Sequence, residues 1–67
     1  MQAVILSIGD ELIMGQTIDT NSAWLSERLA DLGIMTLYHK TVPDDATAIV
    51  LALKEACALS EVVVVTG

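Results

Sequence analysis

The chain has 67 residues, of which 54% are hydrophobic, and its three Lys and Arg face nine Asp and Glu, a formal net charge of -6. This length allows one domain at most, and the shortage of positive charge excludes nucleic-acid binding, which depends on neutralising phosphates. No signal peptide and no run of ~18 apolar residues is present, so we predict a cytoplasmic chain without a membrane segment. The single cysteine, Cys57, excludes an internal disulfide and fits a reducing compartment.

The first half of the chain predicts a strand followed by a helix. The β-branched run Val4–Ile8, ended by Gly9, is typical of a strand buried on both faces of a parallel sheet. A helix is predicted from about Asn21 to Leu32, with an apolar stripe that includes Leu25, Leu29 and Leu32. Ser22 falls among its polar positions, Trp24 is expected to pack in the core or at an interface, and Gly33 ends the helix.

The second half repeats this order. Residues 34–42 predict a less apolar strand near an edge, residues 46–59 a helix, and the four valines within 61–67 a buried strand. Cys57 lies on the apolar stripe of the second helix and is expected in the core. Helical crossovers of this length join parallel strands, and the apolar first strand requires a neighbour on each edge, so we predict the strand order 2-1-3. The hydrophobic excess indicates an incomplete domain that needs further covering layers.

Acidic and polar residues collect where the predicted strands end. They are Gly9, Asp10, Glu11, Asp19, Thr20, Asn21, Asp44, Asp45, Thr66 and Gly67. Open parallel sheets bind ligands outside the carboxyl ends of their strands, so we expect these residues to share one edge. Helix N-termini there could bind a phosphate, and the carboxylates could bind a divalent cation such as Mg²⁺.

Helix capping is the alternative for several of these residues. Asp44 and Asp45 could be either caps or ligands, and Thr20 or Asn21 is expected to cap the first helix. Asp10 and Glu11 lie about ten residues before that helix, which favours a ligand or metal role for at least one of them.

Two phosphate-binding motifs are excluded. The spacing of Gly9 and Gly15 is one residue too long for a P-loop, whose Lys is also missing, and no G-x-G-x-x-G occurs.

The chain resembles a known family in three linked motifs. The run IGDELIMGQTIDTNSAWLSERLADLGI is similar to the opening of proteins of the CinA (competence/damage-inducible) family, and VPDD and the final TG fall at the family's spacing. The resemblance extends over the whole chain and concerns the family's N-terminal molybdopterin-binding-like domain. The MoaB, MogA and MoeA proteins share this fold, but MoeA has extra residues between its GDE and DTN elements.

This resemblance implies a three-layer α/β/α fold with a mostly parallel sheet, a homo-oligomer and a divalent-metal-dependent hydrolysis of ADP-ribose. It implies a pocket formed by Gly9, Asp10, Glu11, Asp19, Asn21, Asp44 and Asp45, with Thr66 and Gly67 opening a glycine-rich loop. Thr20 is expected to bind ligand beside Asn21. We assign the catalytic role to Asp10 and Glu11 and the metal to Asp10 and Asp45.

Three functions therefore remain open for residues 1–67, read as the N-terminal part of one domain. The first is a nucleotide-binding, metal-dependent ADP-ribose pyrophosphatase, whose activity needs the complete protein. The second is a molybdopterin-binding module of molybdenum-cofactor synthesis, and the third is a non-catalytic structural piece. The resemblance implies that a second glycine and a G-P-T segment follow Gly67, and without them we expect no catalysis.

Overall fold

A computed structural model describes all 67 residues as three strands and three helices. In chain order they are β1 (Gln2–Ile8), α1 (Asp10–Ile13), α2 (Thr20–Asp31), β2 (Met35–Val42), α3 (Ala46–Leu59) and β3 (Val62–Thr66). The three predicted strands and the two long helices are confirmed with small differences at their ends. The predicted burial of β3 is wrong within this chain, because β3 lies at an edge of the sheet and none of its residues is buried. The one-turn helix α1 was not predicted.

The strands form one parallel sheet in the order β2-β1-β3, as predicted. Ile5 of β1 pairs with His39 of β2 on one side and with Val64 of β3 on the other. The side chains of Val4, Ile5 and Leu6 are the largest that are fully buried. The continuous apolar run of β1 therefore occupies the position with neighbours on both edges and cover on both faces.

The helices cover opposite faces of this sheet. Val4 and Leu6 pack with Val42 and with Ala52 and Ala56 of α3. Ser7, which follows Leu6 and points to the other face, contacts α2. The result is the α/β/α layering that the sequence predicts, with β1 at its centre.

Local contacts set the ends of the long helices. Gly33 follows the C-cap of α2 with a φ of 79°, which confirms it as the residue that ends the helix. The expectation that Thr20 or Asn21 caps α2 is wrong. Asp19 is the N-cap, because its side chain accepts a hydrogen bond from the backbone amide of Ser22.

Four side chains differ from expectation in their exposure. Leu32, predicted on the apolar stripe of α2, is 76% exposed because it lies at the C-cap, beyond the last residue of the helix. Ser22 is buried against the sheet, where its Oγ lies 2.7 Å from Ser7 Oγ of β1. Trp24 is 60% exposed on α2, so of its two predicted placements the core is wrong within this chain, and packing at an interface stays a prediction. Cys57 is exposed, because α3 meets the sheet through Ala52 and Ala56 and turns Cys57 away. None of the helices combines the length and apolar composition needed to cross a membrane.

Candidate functional site

A cleft of about 190 Å³ opens at the carboxyl ends of β1 and β3. It is lined by Ser7, Ile8, Glu11, Leu12, Thr17, Ile18, Asp19, Thr20, Asn21, Thr66 and Gly67. Six residues of the predicted site therefore lie together here, namely Glu11, Asp19, Thr20, Asn21, Thr66 and Gly67. Pockets for whole small-molecule ligands measure roughly 300–1,000 Å³, so this cleft has room for part of a nucleotide or pterin.

The sheet register explains why these residues meet. Ser7 of β1 lies opposite Thr66 of β3, so the ends of two adjacent strands form the base of the cleft. The segment between α1 and α2 then supplies one wall, which ends in Thr20 and Asn21 at the start of α2. The site lies at the carboxyl edge of the sheet, where open α/β folds bind ligands.

The other predicted acidic residues form a separate group beside this cleft. Asp10 Oδ1 accepts a hydrogen bond from the backbone amide of Asp44 at 3.0 Å. Asp45 caps α3, its Oδ2 accepting from the amide of Ala48 at 3.0 Å. Of the two roles left open for Asp45, the structure therefore shows capping. Neither Asp44 nor Asp45 lines the cleft.

The one-turn helix α1 changes the reading of Asp10 and Glu11. Both lie in its first turn, so their distance of about ten residues from α2 no longer favours a ligand role over a place at a helix start. A four-residue helix has no apolar periodicity that could reveal it in the sequence. Gly9 precedes it, and a Cβ on Gly9 would lie 2.7 Å from Glu11 Oε1. The glycine therefore leaves room for the Glu11 carboxylate to fold back over the backbone.

Asp19 is held by a polar cluster beneath the cleft. Its Oδ2 accepts hydrogen bonds from Ser7 Oγ at 2.5 Å and from Ser22 Oγ at 2.6 Å, and its Oδ1 accepts from the Ser22 amide at 3.1 Å. Burial alone would raise the pKa of Asp19. The hydrogen bonds from Ser22 and Ser7 and the charge of His39 outweigh that effect and hold the pKa below the ordinary 3.8. Asp19 is therefore an ionised acceptor at neutral pH.

Sequence reasoning missed Ser7 and placed Ser22 on the solvent side. The available signal was one hydroxyl within the apolar run Val4–Ile8. A buried hydroxyl needs a partner, and the alternation of strand side chains places Ser7 on the face that α2 covers. Ser22, in the first turn of that helix, is the hydroxyl that lies beside Ser7.

The cleft carries negative charge without a compensating cation. Glu11 and Asp19 are the charged side chains in its lining, which contains no Lys, Arg or His. No group of three or more His, Cys, Asp or Glu side chains could hold a metal ion. Mg²⁺ often takes only one or two protein carboxylates and completes its shell with phosphate oxygens and water. Asp10 and Asp45, which lie outside the cleft lining, each keep one carboxylate oxygen free, and they fit such an ion only when a ligand supplies the remaining oxygens.

The sequence of the chain matches a known protein family. A family profile described as "Probable molybdopterin binding domain" matches residues 4–67. The chain belongs to this family. A CinA-like protein of Geobacter sp. (strain M21) is 52% identical over 67 residues, and a CinA-like protein of Geobacter metallireducens is 49% identical over 67 residues. Each alignment covers 100% of the chain and 16% of the relative, so the chain spans about a sixth of the length of these relatives.

A solved structure agrees with these relatives. The crystal structure of CinA from Thermoplasma acidophilum superposes with a TM-score of 0.95 at 30% sequence identity, covering 98% of the chain and 39% of that protein. A competence-damage inducible protein of Levilactobacillus brevis is 40% identical over the full chain and is covered to 16% of its length. The predicted resemblance to CinA proteins and the predicted α/β/α fold are thereby confirmed.

Proposed function

We propose that this chain forms one wall of a nucleotide-binding site in a CinA-like protein that hydrolyses the diphosphate of ADP-ribose with a divalent metal. The cleft at the carboxyl ends of β1 and β3 supports this proposal most directly. Its hydroxyl, amide and carboxylate groups suit a ligand rich in hydroxyls, and its size suits one portion of a nucleotide. The catalytic part of the proposal concerns the complete protein.

Each part of the site has a distinct proposed role. Thr20, Asn21 and Thr66 would donate hydrogen bonds to ligand oxygens, since all three line the cleft. The Glu11 carboxylate would accept from ligand hydroxyls or hold the water that attacks phosphorus. A bound Mg²⁺ would polarise a phosphoryl oxygen and offset the charge of the diphosphate.

Asp10 and Asp45 are the proposed protein ligands of that ion. Each uses one carboxylate oxygen for a backbone amide and keeps the other free. These backbone bonds fix the orientation of both carboxylates before any ligand binds. The remaining ligands would be phosphate oxygens and water.

Molybdopterin binding is the second candidate function, and the family match to a probable molybdopterin binding domain favours it. A pterin carries N–H groups that could donate to Glu11 and Asp19 in the same cleft. This function needs the cleft but no hydrolysis. A non-catalytic structural role would need neither.

One titration separates these possibilities. The protein expressed from its complete gene is titrated with ADP-ribose and with molybdopterin, each with and without Mg²⁺, and AMP release is followed in parallel. Mg²⁺-dependent release of AMP supports the hydrolase. Molybdopterin binding without AMP release supports the pterin module, and binding of neither ligand supports the structural role.

We also propose that the complete protein is a homo-oligomer. Val50, Leu51 and Leu59 of α3 are 48%, 64% and 56% exposed, an apolar surface that association would cover. Sedimentation of the complete protein tests this point, and a monomer across the accessible concentration range would contradict it.

A further inference from the structure

Three oxygen atoms meet beneath the cleft. Ser7 Oγ and Ser22 Oγ both donate to Asp19 Oδ2, and the two hydroxyl oxygens lie 2.7 Å from each other. Both serines are only 2% exposed. They come from different elements, since Ser7 is on β1 and Ser22 is in the first turn of α2.

The cluster fixes Asp19 from two directions. One carboxylate oxygen is held by the strand and helix hydroxyls, and the other accepts the backbone amide of Ser22. Burying either hydroxyl is unfavourable without an acceptor, and Asp19 is the ionised acceptor for both. The carboxylate therefore joins the end of β1 to the start of α2.

This junction also sets the wall of the cleft. Thr20 and Asn21 follow Asp19 directly and line the cleft beside it. Their backbone lies between the fixed carboxylate and the fixed Ser22. A change in the position of Asp19 therefore moves the groups that would face the ligand.

We propose that Ser7 and Ser22 are positioning residues that hold Asp19, and through it Thr20 and Asn21, in the geometry that binds ligand. The inference rests on the proposed function in one respect, that the cleft is the ligand site. Neither serine is a principal ligand contact, because Ser22 lies outside the lining and Ser7, at the base of the cleft, is only 2% exposed. They act through the carboxylate that both of them bond.

The test uses the protein from its complete gene and the double variant Ser7→Ala/Ser22→Ala. Two readouts are taken. The first is the pKa of Asp19 from its carboxyl carbon shift in ligand-free protein, and the second is the affinity for ADP-ribose by calorimetry without Mg²⁺, so that the ligand is not hydrolysed. The pKa should rise, because both hydroxyl donors are lost. Affinity should fall by about 10-fold, taking the loss of ordinary hydrogen bonds as the guide.

Ser26→Ala is the matched control. It removes a hydroxyl from the same helix one turn later, where Ser26 Oγ lies 2.5 Å from His39 Nε2 and outside the cleft. Affinity should stay at its wild-type value. The Asp19 pKa is compared only between wild type and the double variant, because Ser26 bonds His39, whose charge contributes to that pKa. An equal fall in affinity in Ser26→Ala and in the double variant would overturn the proposal, because any loss of helix stability would then suffice.

Hydroxyl rescue covers the case in which the double variant does not fold. Ser22→Thr keeps the donor and should retain affinity, whereas Ser22→Ala should weaken it; equal behaviour of the two would overturn the positioning role. If wild-type protein does not bind ADP-ribose, the proposed function fails, but the ligand-free measurement still decides. If the Asp19 pKa and the amide shifts of Thr20 and Asn21 are unchanged in the alanine variants, the serines do not position these residues.

Discussion

Asp10 bonds the backbone of a distant loop rather than its own turn. Its Oδ1 accepts from the amide of Asp44, 34 positions later in the chain. Asn carries a carbonyl oxygen at the same place, so Asp10→Asn can keep this bond while it removes the negative charge. The substitution therefore separates a structural role of Asp10 from an electrostatic one.

We expect Asp10→Asn to lower Mg²⁺-dependent turnover of ADP-ribose in the complete protein by at least ~100-fold, because the metal would lose a charged ligand. The melting temperature should change little, since the hydrogen bond to Asp44 is retained. Turnover against Mg²⁺ concentration and a melting curve measure the two effects.

Asp31→Asn is the control for that comparison. Asp31 pairs with Arg28 on the exposed end of α2 at 2.9 Å, far from the cleft lining. Removing such a surface pair should change stability by less than about 1 kcal/mol and leave turnover intact. An Asp10→Asn protein with wild-type turnover would remove Asp10 from the site, and one with lost stability would make it structural.

The lowered pKa of Asp19 gives the protein a defined acid sensitivity. The carboxyl group binds a proton more weakly in the folded chain than in the unfolded chain, where its pKa is near 3.8. Its contribution to stability is therefore present above pH 3.8 and is lost as the pH falls through the folded-state pKa.

We expect the melting temperature of the complete protein to fall on acidification below pH 3.8, and Asp19→Asn to make that decline shallower. Asn still accepts from the Ser22 amide as an N-cap, so α2 should begin at the same place. Melting curves over a pH series provide the measurement. Asp31→Asn, which removes a different carboxylate from the same helix, is the control. Parallel pH profiles for wild type and Asp19→Asn would show that the carboxyl contributes nothing.

At the scale of the element, α2 ends where Gly33 takes a φ of 79°. A Cβ at Gly33 would meet no atom within 4 Å, so the only obstacle to substitution is the backbone conformation. Gly33→Ala should therefore destabilise the protein by about 1 kcal/mol, and Gly33→Asn by less, because Asn tolerates this region. Urea unfolding of both variants measures the difference, and an alanine variant as stable as wild type would contradict it.

The sequence predicted the long elements because each has a strong local signal. The run Val4–Ile8 and the four valines of β3 are apolar and rich in β-branched residues, which is typical of strands in parallel sheets, and Gly33 marks the end of α2. The N-cap of α2 was harder, since Asp19, Thr20 and Asn21 are all good caps. The choice depends on Ser7, whose contact with Asp19 is tertiary.

Six of the eleven residues that line the cleft were predicted from the sequence, but Ser7 and the division of the predicted residues into two groups were not. Strand ends located Glu11, Thr66 and the acidic residues at one edge of the sheet. Their separation into a cleft and a neighbouring group depends on side-chain hydrogen bonds such as that between Asp10 and the Asp44 amide. Bonds of this kind join residues far apart in sequence and leave no local pattern.

At the scale of the whole molecule, burial is sparse. Ten of the 67 residues are buried, and large side chains such as Trp24 and Leu51 remain exposed. Burying apolar surface stabilises a fold by about 25 cal/mol per Å², whereas ordering each residue costs roughly 1.5 kcal/mol in entropy. With so few residues buried, the first effect barely offsets the second. We expect the 67-residue chain by itself to show no cooperative thermal transition as a monomer. Calorimetry of a sample shown to be monomeric by sedimentation checks this, and a sharp transition would contradict it.

The central place of β1 also governs the order in which the chain can fold. In the sequence, β1 and β2 are separated only by the segment that contains α1 and α2, so they can pair early. The pairing of β1 with β3 joins residues from the two ends of the chain. The hydrogen bond from the Gln2 amide to the Glu61 carboxylate, for example, spans 59 positions. Such distant contacts slow folding, because the chain must close a long loop before it gains them. During synthesis, the second edge of β1 therefore stays unpaired until the valines of β3 leave the ribosome, and over that interval this apolar strand is open to chaperones and to aggregation.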